Sequence, residues 1–200
     1  MTTPGRTLRA DAARNRELLL AAAEQEFAER GLDASIADIA RRAGVAKGTV
    51  FRHFATKEEL VAAIVAGHFA ALTAVARGLL EAADPGAALL EFLTVAAEGL
   101  QEQDLTFLQT VAGDDSEVAR LQDQVHAGVD ALVVRAREAG AVRADVTGTD
   151  VFLLICAPVH ATGFLRDPEP GLWRRYLGII FDGLRPEGAA PLPAPAPVWS

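Results

Sequence analysis

The stretch Ala43-Gly44-Val45, running into Ala46-Lys47-Gly48-Thr49-Val50-Phe51-Arg52-His53-Phe54-Ala55-Thr56-Lys57, decides the fold. Val50 and Phe54 stand four residues apart and share one helix face, which turns Lys47, Gly48, Thr49, Arg52 and His53 to the other side. Just upstream, Ser35-Ile36-Ala37-Asp38 has the spacing of an N-cap hydroxyl with a carboxylate three positions on. Apolar Ile36, Ile39, Ala40 and Ala43 follow at helical intervals. Gly44 falls where a helix ends in a left-handed residue, and Val45 plugs the angle to the next helix. Thr56-Lys57-Glu58-Glu59 repeats the capping-box spacing and opens a third helix at once. The turns are too short for anything but a compact trihelical unit with helix-turn-helix geometry.

Several residue types that suit DNA arrive together at one helix start. Lys47 and Lys57 are the only lysines of the chain. Lysine and arginine neutralise phosphates and release counterions, which supplies most non-specific affinity. Gly48 lets backbone approach backbone, and Thr49 can donate to phosphate or touch a thymine methyl. Helix N-termini near Ser35 and Lys57 offer further anion sites. Arg52 and His53, one turn further on, are placed for a base edge or a phosphate. The competing reading is an ordinary solvated helix face, with His53 packed beside Phe54.

On these residues the chain resembles the TetR family of one-component bacterial regulators. The resemblance covers residues 14–60: the amphipathic first helix with Leu20, Ala23, Phe27 and Gly31, then Ile39-Ala40, Ala43-Gly44-Val45, Gly48-Thr49-Val50-Phe51, His53-Phe54 and Lys57-Glu58-Glu59-Leu60. It implies that Lys47, Thr49, Phe51, Arg52, His53 and Lys57 contact the operator, with Ser35 at the phosphate-facing start of the second helix. Ala46 stands where the family often has serine, and Phe51 where tyrosine is common. Each substitution loses a hydroxyl, so Ala46 and Phe51 make weaker contacts.

The 200 residues carry a net charge of −8, which looks wrong for a DNA binder until it is divided. Residues 1–60 hold ten Lys/Arg and nine Asp/Glu, net +1, and the remaining 140 hold nine and eighteen, net −9. Phosphate would repel the acidic part, so the N-terminal tip alone is expected to touch DNA. Arg6, Arg9, Arg14 and Arg16 give a positive arm that could follow a phosphate strand or enter the minor groove; the alternative is a disordered tail. The domain reading is a flexible arm at 1–13, a DNA-binding domain at 14–60, a helical ligand-binding and dimerisation domain at 61–185, and a disordered Pro/Ala-rich tail at 186–200. Trp199 near its end reads as a chance apolar residue. Val151 to Val159 is taken as the longest strongly apolar run, too short for a bilayer, so no membrane partner is expected. The start lacks the apolar stretch of a signal peptide and one cysteine cannot make an internal disulfide, which fits a reducing cytoplasm.

Beyond residue 60 the pattern is all helical, at about 57–82, 86–103, 105–112, 117–139, 148–166 and 170–184. Turn signals fall at Asp84-Pro85-Gly86, Gly113 to Ser116, Gly140 and Asp167 to Pro170. The fold class is therefore all-α, a three-helix DNA-binding domain followed by a helical bundle. Helix 148–166 is apolar almost all round, with Val151, Phe152, Leu153, Leu154, Ile155 and Cys156, so it must bury more than one face. The last helix adds Trp173, Tyr176, Leu177, Ile180 and Phe181. By the family resemblance these two helices form a four-helix dimer interface, with Val151, Leu154, Ile155, Trp173, Tyr176, Leu177, Ile180 and Phe181 as its residues; the alternative is an intrachain core.

An effector pocket is expected with apolar wall from Phe69, Leu72, Phe92, Phe107, Leu108, Val129 and Phe152. Polar Gln109, Gln122, His126, Cys156 and His160 interrupt those apolar stripes. Pro158 inside its helix should free the carbonyl of Leu154. Cys156 and His160 are four apart, yet two ligands without a carboxylate at the right spacing make no metal site, and no metal or cofactor is expected. His126 and His160 can equally be satisfied core histidines. The resemblance implies a dimeric repressor released from operator DNA by a small apolar or aromatic effector. An activator or ligand-independent regulator of the same fold is the alternative, and a helical small-molecule-binding module or enzyme is the rival of another class; catalysis is not expected, because no nucleophile-base spacing or phosphate loop is present.

Overall fold

The computed structural model describes residues 4–102, 105, 107–112, 115–162, 165–166 and 169–196, with 4–12 and 102 as backbone only. Among the described residues the secondary structure is entirely helical. It runs α1 (Pro4–Arg30), a 3-10 turn (Gly31–Asp33), α2 (Ile36–Arg42), α3 (Lys47–His53), α4 (Lys57–Leu79), α5 (Pro85–Glu102), α6 (Phe107–Ala112), α7 (Ser116–Glu138), α8 (Gly148–Thr162) and α9 (Leu172–Gly183). The helices group into two compact units, residues 1–67 with 103–119, and residues 68–102 with 120–200. The single boundary drawn at residue 60 from sequence therefore differs from the division observed, which gives 61–67 and 103–119 to the first unit. The turn signals at Gly113-Asp114 and Asp167-Pro168 lie outside the described residues, as does Trp199.

In the first unit the short-range signals act as their chemistry requires. Ser35 Oγ accepts the Asp38 N–H at 3.2 Å and donates to the Asp38 carboxylate at 2.6 Å, which starts α2. Gly44 takes φ +69, its N–H reaches the Arg41 carbonyl at 3.2 Å, and the Val45 N–H reaches the Ala40 carbonyl at 3.0 Å. That is a Schellman ending, and it sets the tight angle into α3. Thr56 Oγ1 accepts the Glu59 N–H at 3.1 Å while the Glu59 carboxylate accepts the Ala55 N–H at 2.6 Å, opening α4. Phe27, Ile39, Val50, Leu60, Val61 and Ile64 make the core these helices share.

Ionic contacts lock α1 to α2. Glu26 is only 2% exposed, accepts the Arg42 Nε–H at 2.8 Å and lies 3.4 Å from Arg30 Nε. Arg42 also donates to Glu29 at 2.7 Å, and Arg30 lies 3.3 Å from the Asp38 carboxylate. The Ser35 hydroxyl and the Arg41 guanidinium hold the Asp38 carboxyl down at about 2. The flexible arm expected over 1–13 is corrected, because α1 begins at Pro4. Proline suits a first helical position, and Arg6, Leu8, Arg9, Ala10, Ala12 and Ala13 are strong helix formers, so local propensity favours a helix this far back.

The second unit buries Leu89, Phe92 and Leu93 of α5 with Val125, Val129 and Leu132 of α7. Gly140, at φ +69, ends α7 in a second Schellman turn: its N–H reaches Arg137 O at 2.9 Å and the Ala141 N–H reaches Ala136 O at 2.8 Å. Arg135 Nη2 donates to the Ala82 carbonyl at 3.0 Å, closing the end of α4, which stops at Leu79 rather than 82. Thr147 and Asp150 cap α8 reciprocally, with the Thr147 N–H on the Asp150 carboxylate at 2.8 Å and the Asp150 N–H on Thr147 Oγ1 at 3.3 Å. α8 contains buried Pro158 and ends at Thr162, short of the expected 166.

Two further expectations are corrected. The tail expected to be disordered is held over its described part, since Arg143 donates to the Ala190 carbonyl and the Leu192 N–H reaches the Asp145 carboxylate at 3.4 Å. The Arg143–Asp145 pair that holds it, at 2.5 Å, keeps the Asp145 carboxyl low, at about 2. The run 151–159 is not the segment that matters for a bilayer: α4 has an 18-residue window of mean hydropathy 1.8 and is, by length and composition alone, long and apolar enough to cross one. Its Leu60, Val61, Ile64 and Val65 are buried in the first unit and Phe69 and Ala76 in the second, as in a core helix.

Candidate nucleic-acid interface

The site is built around α3, whose one fully buried side chain, Val50, pins the helix while the rest face outward. Ala46 precedes it in extended backbone, φ −71 and ψ 145, with no side-chain cap on the first turn. Ser35, Ala46, Lys47, Gly48 and Arg52 are exposed, Thr49 and His53 half-buried. Phe51 is 46% exposed, with the Lys47 ammonium 5.7 Å from its ring centroid. A Cβ on Gly48 would meet nothing within 4 Å, so nothing inside the chain requires glycine there. Its bareness matters only to a body approaching from outside, and in a helix it costs about 1 kcal/mol relative to alanine.

Lys57 is placed differently from its sequence assignment as an operator contact. Its ammonium donates to the Leu32 carbonyl and lies 5.5 Å from the Phe27 ring centroid, so it is turned into the chain and ties the start of α4 to the turn before α2. Arg41 pairs with Asp38 at 2.5 Å and Arg42 with Glu26 and Glu29, which leaves Lys47 and Arg52 as the outward cations of the unit's α3 face. The Arg42–Glu26 clamp escaped sequence reading because its partners are sixteen positions apart on different helices, where no helical spacing marks them.

The expected pocket residues divide between the units. Phe107 and Leu108 belong to the first. In the second, Phe69, Phe92 and Val129 are buried, and Leu72, Gln122, Phe152 and Cys156 are half-buried. His126 is buried, with its ring 5.4 Å from Phe152 in an edge-to-face contact; burial pushes its pKa down, against the pull of Asp123 and Asp130. His160 is exposed, which corrects its placement as a pocket group. A cleft of about 370 Å³, bordered by Asp84, Leu90, Ala141, Phe181 and Arg185 among others, involves none of the expected pocket residues.

The dimer residues are corrected too. Val151, Ile155, Trp173, Leu177 and Phe181 are buried within the chain and leave no surface for a partner. Leu154 and Ile180 are half-buried, and Tyr176 is exposed. The outward apolar residues of α8 and α9 are instead Leu153, 59% exposed, and Ile179, 56% exposed, together with Tyr176.

A trihelical helix-turn-helix unit with an outward cationic helix, attached to an all-helical body, defines a DNA-reading regulator of the one-chain kind. Residues 19–64 match the family of bacterial regulatory proteins called tetR, and residues 84–186 match the SbtR-like transcriptional regulator C-terminal domain. The chain belongs to the TetR family of transcriptional regulators and is not an enzyme. It is 43% identical over 61 residues to the HTH-type transcriptional repressor BepR of Brucella suis, covering 30% of this chain and 29% of that protein, so the shared stretch is under a third of the relative's length. The crystal structure of a TetR regulatory protein from Mycobacterium vanbaalenii is similar over 89% of this chain and 99% of its own, at 34% identity and TM-score 0.60. The ketosteroid transcriptional regulator KstR2 of Mycobacterium tuberculosis is similar at 25% identity and TM-score 0.63, over 86% and 95%.

Proposed function

We propose that this chain is a dimeric repressor that reads a near-palindromic operator with α3 and leaves it when a small apolar or aromatic effector binds the second unit. The observation that carries the reading is the outward set of α3: Lys47, Gly48, Thr49, Phe51 and Arg52 present charge, bare backbone, a hydroxyl and a ring on one short helix that Val50 fixes from behind. Ser35, Ala46 and His53 flank that set. Repression is supported by the relative named as a repressor, and an apolar effector by the ketosteroid regulator among the similar structures.

Pairing is supported by exposed Leu153, Tyr176 and Ile179, since a two-fold pair would offer two copies of α3 to major grooves about 34–36 Å apart. α4 is one unbroken helix with residues 57–67 in the first unit and 68–79 in the second. An effector favouring one tilt of it would couple to DNA affinity by about 1–3 kcal/mol, a change of roughly 5- to 150-fold.

The test is binding of the purified chain to duplexes flanking its own coding sequence and to sequences enriched from a random pool, across a salt series, beside Lys47→Ala and Arg52→Ala. Selective binding with a steep salt slope that both variants weaken is expected. Sequence-blind binding indifferent to both substitutions, with no sequence enriched, would overturn it.

A further inference from the structure

The described side chains of α1 ahead of Leu19 stay outside the core of the first unit. None of the described side chains from Ala13 to Leu18 is buried, and Leu19 is the first that is. Arg16 nonetheless has a defined place. The carbon at the centre of its guanidinium lies 5.2 Å from the ring centroid of Phe54, the residue at which α3 ends, and Phe54 is itself buried. A guanidinium held near a ring by its charge still has N–H donors to offer, and the Arg16 side chain is exposed. Among the described residues no carboxylate pairs with Arg16, although Arg30, Arg41 and Arg42 of the same unit are each ion-paired.

Charge points the same way. Residues 4–18 carry Arg6, Arg9, Arg14 and Arg16 against Asp11 and Glu17, in a chain whose net charge is −8. The seven residues of α3 span about 10 Å, and a major groove is about 12 Å wide, so a cation at the far end of α3 from its base-reading start reaches the groove's phosphate wall.

We propose that Arg16 is a further DNA contact, delivered by α1 to a backbone phosphate beside the bases read by α3, with the Phe54 ring as its platform. The inference rests on the reading of α3 as the DNA-reading helix. Arg77 supplies a charge-matched control, because it is exposed on α4 within the second unit, outside the DNA-reading unit.

The experiment measures the salt dependence of binding to the duplex that the wild-type chain enriches from a random pool, for wild type, Arg16→Ala, Arg16→Gln, Arg77→Ala and Lys47→Ala. Glutamine keeps most of the stem over Phe54 without the charge, which separates lost packing from a lost phosphate contact. Both Arg16 variants should reduce the slope of log affinity against log salt by about 0.9 per protomer with base preference unchanged, and Arg77→Ala should keep the wild-type slope. A wild-type slope in Arg16→Gln, or an equal loss in Arg77→Ala, would overturn the assignment while Lys47→Ala still weakens binding. If Lys47→Ala is also without effect, the DNA-reading assignment of α3 falls and Arg16 with it.

Discussion

α3 and α9 each bury one face and turn another outward, and they differ in what they leave outside. α3 hides Val50 and shows Lys47, Gly48 and Arg52; α9 hides Trp173, Leu177 and Phe181 and shows Tyr176 at 39% and Ile179 at 56% exposure. A cation in water is at ease alone, whereas apolar side chains on adjacent turns ask for a cover. Where the outward face is polar, the pattern of apolar residues separates inside from outside, and the face of α3 is readable from sequence. Where both faces are apolar, as on α8 and α9, the pattern says only that the helix has much to bury. That is why five of the eight residues assigned to a dimer interface are core residues of a single chain.

The contrast can be broken by substitutions that should act on one side of it alone. The largest effect is expected for Arg42→Ala, which removes the closest partner of buried Glu26 and leaves it the longer contact to Arg30 at 3.4 Å; calorimetric melting should show the first unit clearly destabilised, while Arg52→Ala melts like wild type. Equal melting of the two variants would mean that the clamp between α1 and α2 adds little. Ile179→Asp should turn a dimer into monomers by sedimentation with helical content kept, and a persisting dimer would place the interface away from α9. Gly48→Ala sharpens the comparison on the α3 side: it should stabilise the chain by up to about 1 kcal/mol and at the same time weaken DNA binding, and a variant that gains stability without losing affinity would remove the functional reason for this glycine. The smallest effect is acid sensitivity. Asp38 titrates at about 2, below its ordinary value of 3.8, so its ionised form supports the fold above about pH 4 and that support fades as pH falls towards 2. Asp38→Asn should flatten stability across that window, and an unchanged acid midpoint would show that the Ser35–Asp38–Arg41 cluster contributes nothing there.

Much of the first unit was legible because its signals are local. Ser35 to Asp38, Gly44 with Val45, and Thr56 to Glu59 each settle a helix end within a few residues, by a hydroxyl, a left-handed glycine or a carboxylate on an unpaired N–H. Local propensity also carries α1 back to Pro4, a reach that the charge of the arm concealed. Contacts between distant positions left no such trace. Lys57 over Phe27, Arg42 on Glu26, Arg16 over Phe54 and Arg143 on the tail join residues from 16 to 47 positions apart.

By itself, the sequence determined that this chain is all helical, where its first helices start and stop, and which face of α3 looks outward, since hydrogen-bond capping and apolar periodicity act within one or two turns. Only the tertiary structure decided that Lys57 is turned into the chain, that His160 lies outside the core, and that Leu153 and Ile179 rather than Val151 and Leu177 stay exposed. The physical reason is that periodicity counts how much apolar surface a helix must bury, while the neighbours it packs against choose which side.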